Sequence, residues 1–274
     1  MNESQELRTL VVRTAGINCD EEAVRAFEGA GSKVELLHLN ALIAEPARLA
    51  SAHILVVPGG FSYGDDVAAG RVFGVELRQH LFEEIQAFLA QGGYVLGICN
   101  GFQVLVELGL FEPGVPPEER SIALTDNASN RFEARWVTLR AEASAAAWLP
   151  AGQTYPCPVA HAEGRLVVRD DAAFRRLEER GQIALRYVSP GQVASGQADG
   201  PVAYPDNPNG SIGDVAGLTD PTGRVLGLMP HLERNLTPWN HPRWTRLPAR
   251  DEGEGAAFFR SLVDAAAGRT LTHA

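Results

Sequence analysis

Cysteine is scarce in this 274-residue sequence: Cys19, Cys99 and Cys157 are the whole set, with no Cys-x-x-Cys pair and no metal-finger spacing. An odd, sparse set argues against a disulfide scaffold and suits a reducing compartment, so a cytoplasmic location is expected and no metal site is read from the spacing. Cations are also in deficit, 24 Lys and Arg against 34 Asp and Glu, for a net charge of −10. That balance argues against nucleic acid or an anionic membrane as the main partner. No apolar run is long enough to span a bilayer. Met1 to Arg8 is polar and lacks the apolar centre of a signal peptide. There is no Gly-x-x-x-x-Gly-Lys-Ser/Thr loop to cradle nucleotide phosphates, no internal repeat and no sharp shift of composition. With 45% hydrophobic residues the chain can bury a full core, and a single domain over 1–274 is expected.

What is present is an alternation of apolar strands and helices. Leu10-Val11-Val12 reads as a buried strand, followed by a helix with Asp20 as N-cap and Val24 and Phe27 on one face. Residues 34–39 and 54–57 read as further strands, the latter bounded by Pro58-Gly59-Gly60. Leu77, Leu81, Phe82, Ile85 and Leu89 keep helical period over 75–89, and a strand over 94–98 leads into a helix over 100–109. This pattern implies an α/β fold, a mostly parallel open sheet flanked by helices. Later strands are expected over 132–139, 166–168, 183–185 and 225–229, with few helices before 255–267, so an antiparallel extension of the sheet is expected. Segments 112–120 and 237–252 read as Pro- and charge-rich loops.

Three motifs stand at predicted strand ends, where open parallel sheets place their binding crevice. Gly97-Ile98-Cys99-Asn100-Gly101 has the form of a nucleophile elbow: the cysteine is thrust out at a sharp turn, and a Cβ on either glycine would strike neighbouring backbone. The helix after Cys99 favours its thiolate through the N-terminal dipole. Pro58-Gly59-Gly60 can offer backbone N–H groups to an anion. Met229-Pro230-His231-Leu232-Glu233 supplies a base and a carboxylate to orient it. Each motif alone has an ordinary structural explanation: a tight turn, an inert buried thiol, a solvated His–Glu pair. Their joint placement at strand ends is what points to catalysis.

Pro58-Gly59-Gly60-Phe61-Ser62-Tyr63-Gly64-Asp65, Gly97 to Gln103 and Met229 to Arg234 resemble the three signature loops of triad-type class I glutamine amidotransferases, whose fold is flavodoxin-like. More specifically they are similar to the glutaminase-subunit family of phosphoribosylformylglycinamidine synthase, and Gly16-Ile17-Asn18-Cys19-Asp20, Asn130-Arg131-Phe132-Glu133, Pro158 to Arg165 and Asn207 to Ser211 extend the likeness over nearly the whole chain. The resemblance implies Cys99 as nucleophile, His231 as base and Glu233 as its orienter. It implies an oxyanion hole from the N–H groups of Gly60 and Asn100, and substrate contacts from Gln103, His161 and Arg165. It further implies L-glutamine as substrate, no cofactor in this chain, and a synthetase subunit, with a small bridging subunit, that uses ATP and magnesium in purine synthesis. Leu232 departs from the family's usual proline, which loosens the loop without removing a catalytic group.

Two other readings stay open at this stage: a cysteine peptidase or chaperone-like hydrolase sharing the elbow, and a regulatory subunit that kept the fold without activity. Cys19 stands near a helix N-terminus at the end of the first strand, which leaves a second reactive cysteine open, but it has no base nearby in sequence, so a packing or interface role is favoured. Cys157 lies between two prolines and reads as structural.

Overall fold

The computed structural model describes residues 6–196 and 200–268; Met1 to Gln5 of the polar N-terminus read above lie outside the described residues. Arg8–Arg13 (β1) buries Thr9 through Val12 in succession, the mark of a strand covered on both faces. After it come Asp20–Gly29 (α1), Lys33–His38 (β2), Leu39–Ala44 (α2), Ala47–Ala50 (α3) and Ile54–Val57 (β3). Arg71–Ala90 (α4), Tyr94–Ile98 (β4) and Asn100–Leu108 (α5) complete the first half. The second half holds Ile122–Thr125 (β5), Glu133–Ala141 (β6), Thr154–His161 (β7), Arg165–Val168 (β8), Asp171–Glu179 (α6), Ile183–Val188 (β9) and Pro190–Ser195 (α7). Val215–Thr219 (β10), Val225–Leu228 (β11) and Glu254–Ala266 (α8) close the chain.

Nine strands form one sheet in the order β2-β1-β3-β4-β11-β10-β9-β6-β7, and β5 and β8 pair separately. Strands β2, β1, β3, β4 and β11 run parallel. From β11 outward every pairing is antiparallel, which is the expected extension. Among the described residues no helix is long and apolar enough to cross a membrane.

Several local expectations are corrected. Cys19, not Asp20, occupies the N-cap of α1, and its side chain makes no cap bond. Asp20 is the first helical residue and pairs instead with Arg13 at 3.2 Å. Leu39 leaves the second strand and opens a short helix. Helix α4 starts at Arg71, ahead of the expected 75, after Gly70 in a left-handed conformation. Strand β7 was hidden by Pro156 and Pro158; it survives because it is an edge strand, where a missing N–H costs no ladder bond.

Candidate active site

Strands β4 and β11 are parallel neighbours in register, Ile98 beside Leu228. Their carboxyl ends therefore release Cys99 and the Met229–Glu233 loop side by side. The Cys99 amide donates to Leu228 O at 2.8 Å and the His231 amide to Pro158 O at 2.9 Å, which pins both loops. Cys99 has φ 52° and ψ −108°, a conformation few side-chain-bearing residues adopt. The flanking glycines are obligatory as read: a Cβ on Gly101 would lie 1.8 Å from Val57 O, and one on Gly97 would lie 2.6 Å from Gly101 O.

His231 Nδ1 lies 2.5 Å from Glu233 Oε1, and both side chains are essentially sealed from solvent. Burial by itself lowers the His231 pKa, but the Glu233 carboxylate, followed by the sulfur atoms of Cys99 and Cys19, reverses this and holds it well above the ordinary imidazole value. A protonated imidazole beside a thiol is one half of a thiolate–imidazolium pair. Cys99 itself is 6% exposed, and its Sγ lies 3.8 Å from Ala160 O of β7.

The Gly60 and Asn100 amides are both unclaimed by any acceptor among the described residues. They sit at the ends of β3 and β4, adjacent parallel strands, so the structure brings them to the same rim as Cys99. Asn100 also braces the Gly-rich loop: its Nδ2 donates to Asp65 Oδ1 and to Gln103 Oε1, each at 3.1 Å. Burial raises the Asp65 pKa above the usual carboxylate value, opposed by hydrogen bonds that include that from Asn100. Gln103 Nε2 donates to Glu163 O at 2.5 Å, and both residues line a cavity of about 470 Å³ with Ala69 and Arg71.

His161 is buried, and burial, with His231 nearby, brings its pKa down to about 3, so the ring is neutral. Its Nδ1 faces Asn127 Oδ1 at 3.1 Å, which leaves Nε2 buried and without a partner. Asn127 was not singled out from sequence, although it sets the His161 ring and accepts from the Gly164 amide. Arg165 opens β8 in the two-stranded sheet and makes no hydrogen bond or ion pair to Cys99, His231 or Glu233 among the described residues. Cys157 is fully buried in β7, and burial, then Glu233, push its thiol well above the ordinary value.

Cys19 is the residue that sequence distance misplaced. No base is near it along the chain, yet in space it adjoins His231, and Arg234 Nη2 donates to its Sγ at 3.0 Å. Gly59 separates the groups: a Cβ there would lie 2.9 Å from His231 Cε1, 3.2 Å from Cys19 Sγ and 3.4 Å from Cys99 Cβ.

An elbow cysteine against a buried His–Glu pair, with free amides on the same rim of an open α/β sheet, defines a cysteine-dependent amide hydrolase. The chain matches the CobB/CobQ-like glutamine amidotransferase domain over residues 6–264. It is 41% identical over 259 residues to phosphoribosylformylglycinamidine synthase subunit PurQ of Dehalococcoides mccartyi, covering 94% of this chain and 97% of that one. The PurQ subunit of Picrophilus torridus is 40% identical over 257 residues, covering 94% and 98%. Among solved structures, that of PurLQS from Thermotoga maritima superposes with a TM-score of 0.67 at 29% identity, over 94% of this chain and 98% of that one. The chain belongs to the glutamine amidotransferase family and, within it, to the PurQ subunits of phosphoribosylformylglycinamidine synthase.

Proposed function

We propose that this chain is the glutaminase subunit of phosphoribosylformylglycinamidine synthase, hydrolysing L-glutamine to glutamate and ammonia for purine synthesis. The observation that carries the reading is the meeting of Cys99, His231 and Glu233 on one rim of the sheet, in a chain aligned with PurQ subunits over nearly its whole length. The Cys99 thiolate attacks the glutamine side-chain carboxamide. The Gly60 and Asn100 amides hold the oxyanion as it develops, where such donors act most strongly. His231 gives its proton to the leaving nitrogen, and ammonia departs from a γ-glutamyl thioester. Water then attacks the thioester, losing its proton to His231, and glutamate and the thiol are released. Glu233 keeps the ring oriented throughout. Gln103 and the free Nε2 of His161 are assigned to the glutamine pocket; Arg165 is assigned no contact with the reacting atoms.

Ammonia passes to a synthetase subunit, which uses ATP and magnesium to convert formylglycinamide ribonucleotide to the amidine, with a small bridging subunit in the assembly. This chain is read as carrying no cofactor of its own and as working in the cytoplasm, in keeping with three unpaired cysteines. The test is labelling of the assembled complex with a limiting amount of a glutamine-analogue electrophile, followed by peptide mapping. Modification of Cys99 with matching loss of glutamine-dependent synthesis is expected. Prior modification of Cys19 or Cys157 with activity intact would overturn the assignment.

A further inference from the structure

The pairing of His231 with Glu233 leaves two facts unexplained. Cys19, N-cap of α1 and 212 positions earlier in the chain, places its Sγ so that it, a His231 ring nitrogen and a Glu233 carboxylate oxygen all lie within 4.8 Å of one another, and all three residues are buried. In addition, Glu233 Oε2 is buried with no hydrogen-bond partner among the described residues, an arrangement that costs energy for a carboxylate. Glycine at 59 keeps the space between these groups clear, since any Cβ there would crowd both the imidazole and Cys19 Sγ.

We propose that Cys19, His231 and Glu233 form a binding site for a thiophilic divalent cation such as zinc, which switches off the glutaminase reaction by occupying its base. The donor set is chemically apt. Thiolate, imidazole and carboxylate are the three protein ligand types of zinc, at about 2.3, 2.0 and 2.1 Å. Tetrahedral bonds of those lengths separate the ligand atoms by roughly 3.3–3.6 Å, so the observed cluster needs small adjustments rather than a new backbone path. One thiolate and one carboxylate cancel the charge of the ion, with the ring neutral. Binding therefore displaces the Cys19 thiol proton and the proton that His231 holds on the coordinating nitrogen, and a water fills the fourth position. Arg234 Nη2 donates to Cys19 Sγ at 3.0 Å, and the same guanidinium lies 3.6 Å from Glu22. A cavity of about 630 Å³, lined in part by Glu22, Glu233, Arg234 and Glu252, borders the loop that carries Glu233, whose carboxylate itself is sealed from solvent.

The site is not the ordinary capture of a metal by a nucleophile and its base. That would use Cys99 with His231 and leave Cys19 idle. Binding in the proposed site does not depend on the catalytic reading; only its inhibitory consequence does.

The experiment titrates full-length protein with zinc by calorimetry and with cobalt by the thiolate-to-metal absorption band. In Cys99→Ser protein, one equivalent is expected to bind, with the thiolate band present. Adding Cys19→Ala should weaken binding by at least about 100-fold, since loss of even an outer-sphere partner costs roughly 10- to 100-fold, and should abolish the band. Cys19→Ser, which keeps the size of the side chain, should likewise lose the band. Equal affinity with and without Cys19, or loss of binding in Cys99→Ser alone, overturns the site. In the assembled complex, zinc should suppress glutamine-dependent synthesis while synthesis from ammonium continues, and a chelator should restore it. Stoichiometric binding through Cys19 with undiminished glutamine-dependent synthesis would overturn the proposed switch and leave only the metal site standing.

Discussion

Replacing Glu233 by Gln keeps the volume of a side chain buried to 3% exposure and removes only its charge. Its partner, His231 Nδ1, is 2.5 Å away. Unit charges at that distance attract by about 7 kcal/mol at an effective dielectric near 20, and desolvation of both ions offsets part of this. Removing one member of a buried pair costs roughly 3–5 kcal/mol in measured cases. The new amide can also turn its NH2 toward Nδ1, which forces the ring into the tautomer that cannot take a proton at Nε2. At about 1.4 kcal/mol per decade, glutamine-dependent turnover should fall by roughly 10²- to 10⁴-fold, less completely than in Cys99→Ser. Synthesis from ammonium by the same complex should be unchanged. The pH dependence follows from the sign of the shift. His231 is raised above its ordinary value of 6.5, with burial alone acting to lower it. Without the carboxylate burial prevails, so the alkaline limb of activity should move to lower pH. A raised histidine contributes stability that is fully present below pH 6.5 and is lost as pH rises through its folded value. The melting-temperature gap between wild type and variant should therefore be widest from about pH 5 to 6.5 and shrink toward alkaline pH. Unchanged glutamine turnover, or an equal loss of ammonium-dependent synthesis, would refute the reasoning.

Three further outcomes are expected. Gly101→Ala places a methyl group 1.8 Å from Val57 O, so it should abolish elbow function and cost more than about 2 kcal/mol of stability; a thermal melt and a labelling assay read both. Trp239 and Trp244 pack edge to face at 5.6 Å and stay 67% and 46% exposed, so Trp244→Ala with Arg246→Ala should weaken synthetase binding by at least about tenfold, measured by calorimetry with the melting temperature unchanged. Because Cys99 is only 6% exposed, the isolated subunit should hydrolyse glutamine slowly, and kcat/KM should rise when the partner docks and loops such as 58–61 set their final geometry.

The elbow, the Gly59–Gly60 turn and the His231–Glu233 pair were legible in the sequence because each is a local constraint. A strained turn needs glycines two positions either side of Cys99, and a base two residues from its carboxylate can bond it within one loop. Strands β1, β3 and β4 were legible for a similar reason, being short runs of branched apolar residues closed by turns. Strand β7 was not, since Pro156 and Pro158 read as breakers and only the sheet order shows that they lie on an edge. Strand β10 is five consecutively buried residues with a central glycine, too short to carry a period of its own. Asn127 meets His161 across 34 positions, and Cys19 meets His231 across 212. No local pattern encodes such pairs. They are set by which strands become neighbours, above all β11 inserted beside β4, and that choice is made by burying whole apolar faces rather than by any one segment. The sequence by itself determined the chemistry available at each strand end; the packing of the sheet decided which of those ends share a site, and placed a second thiol beside the base.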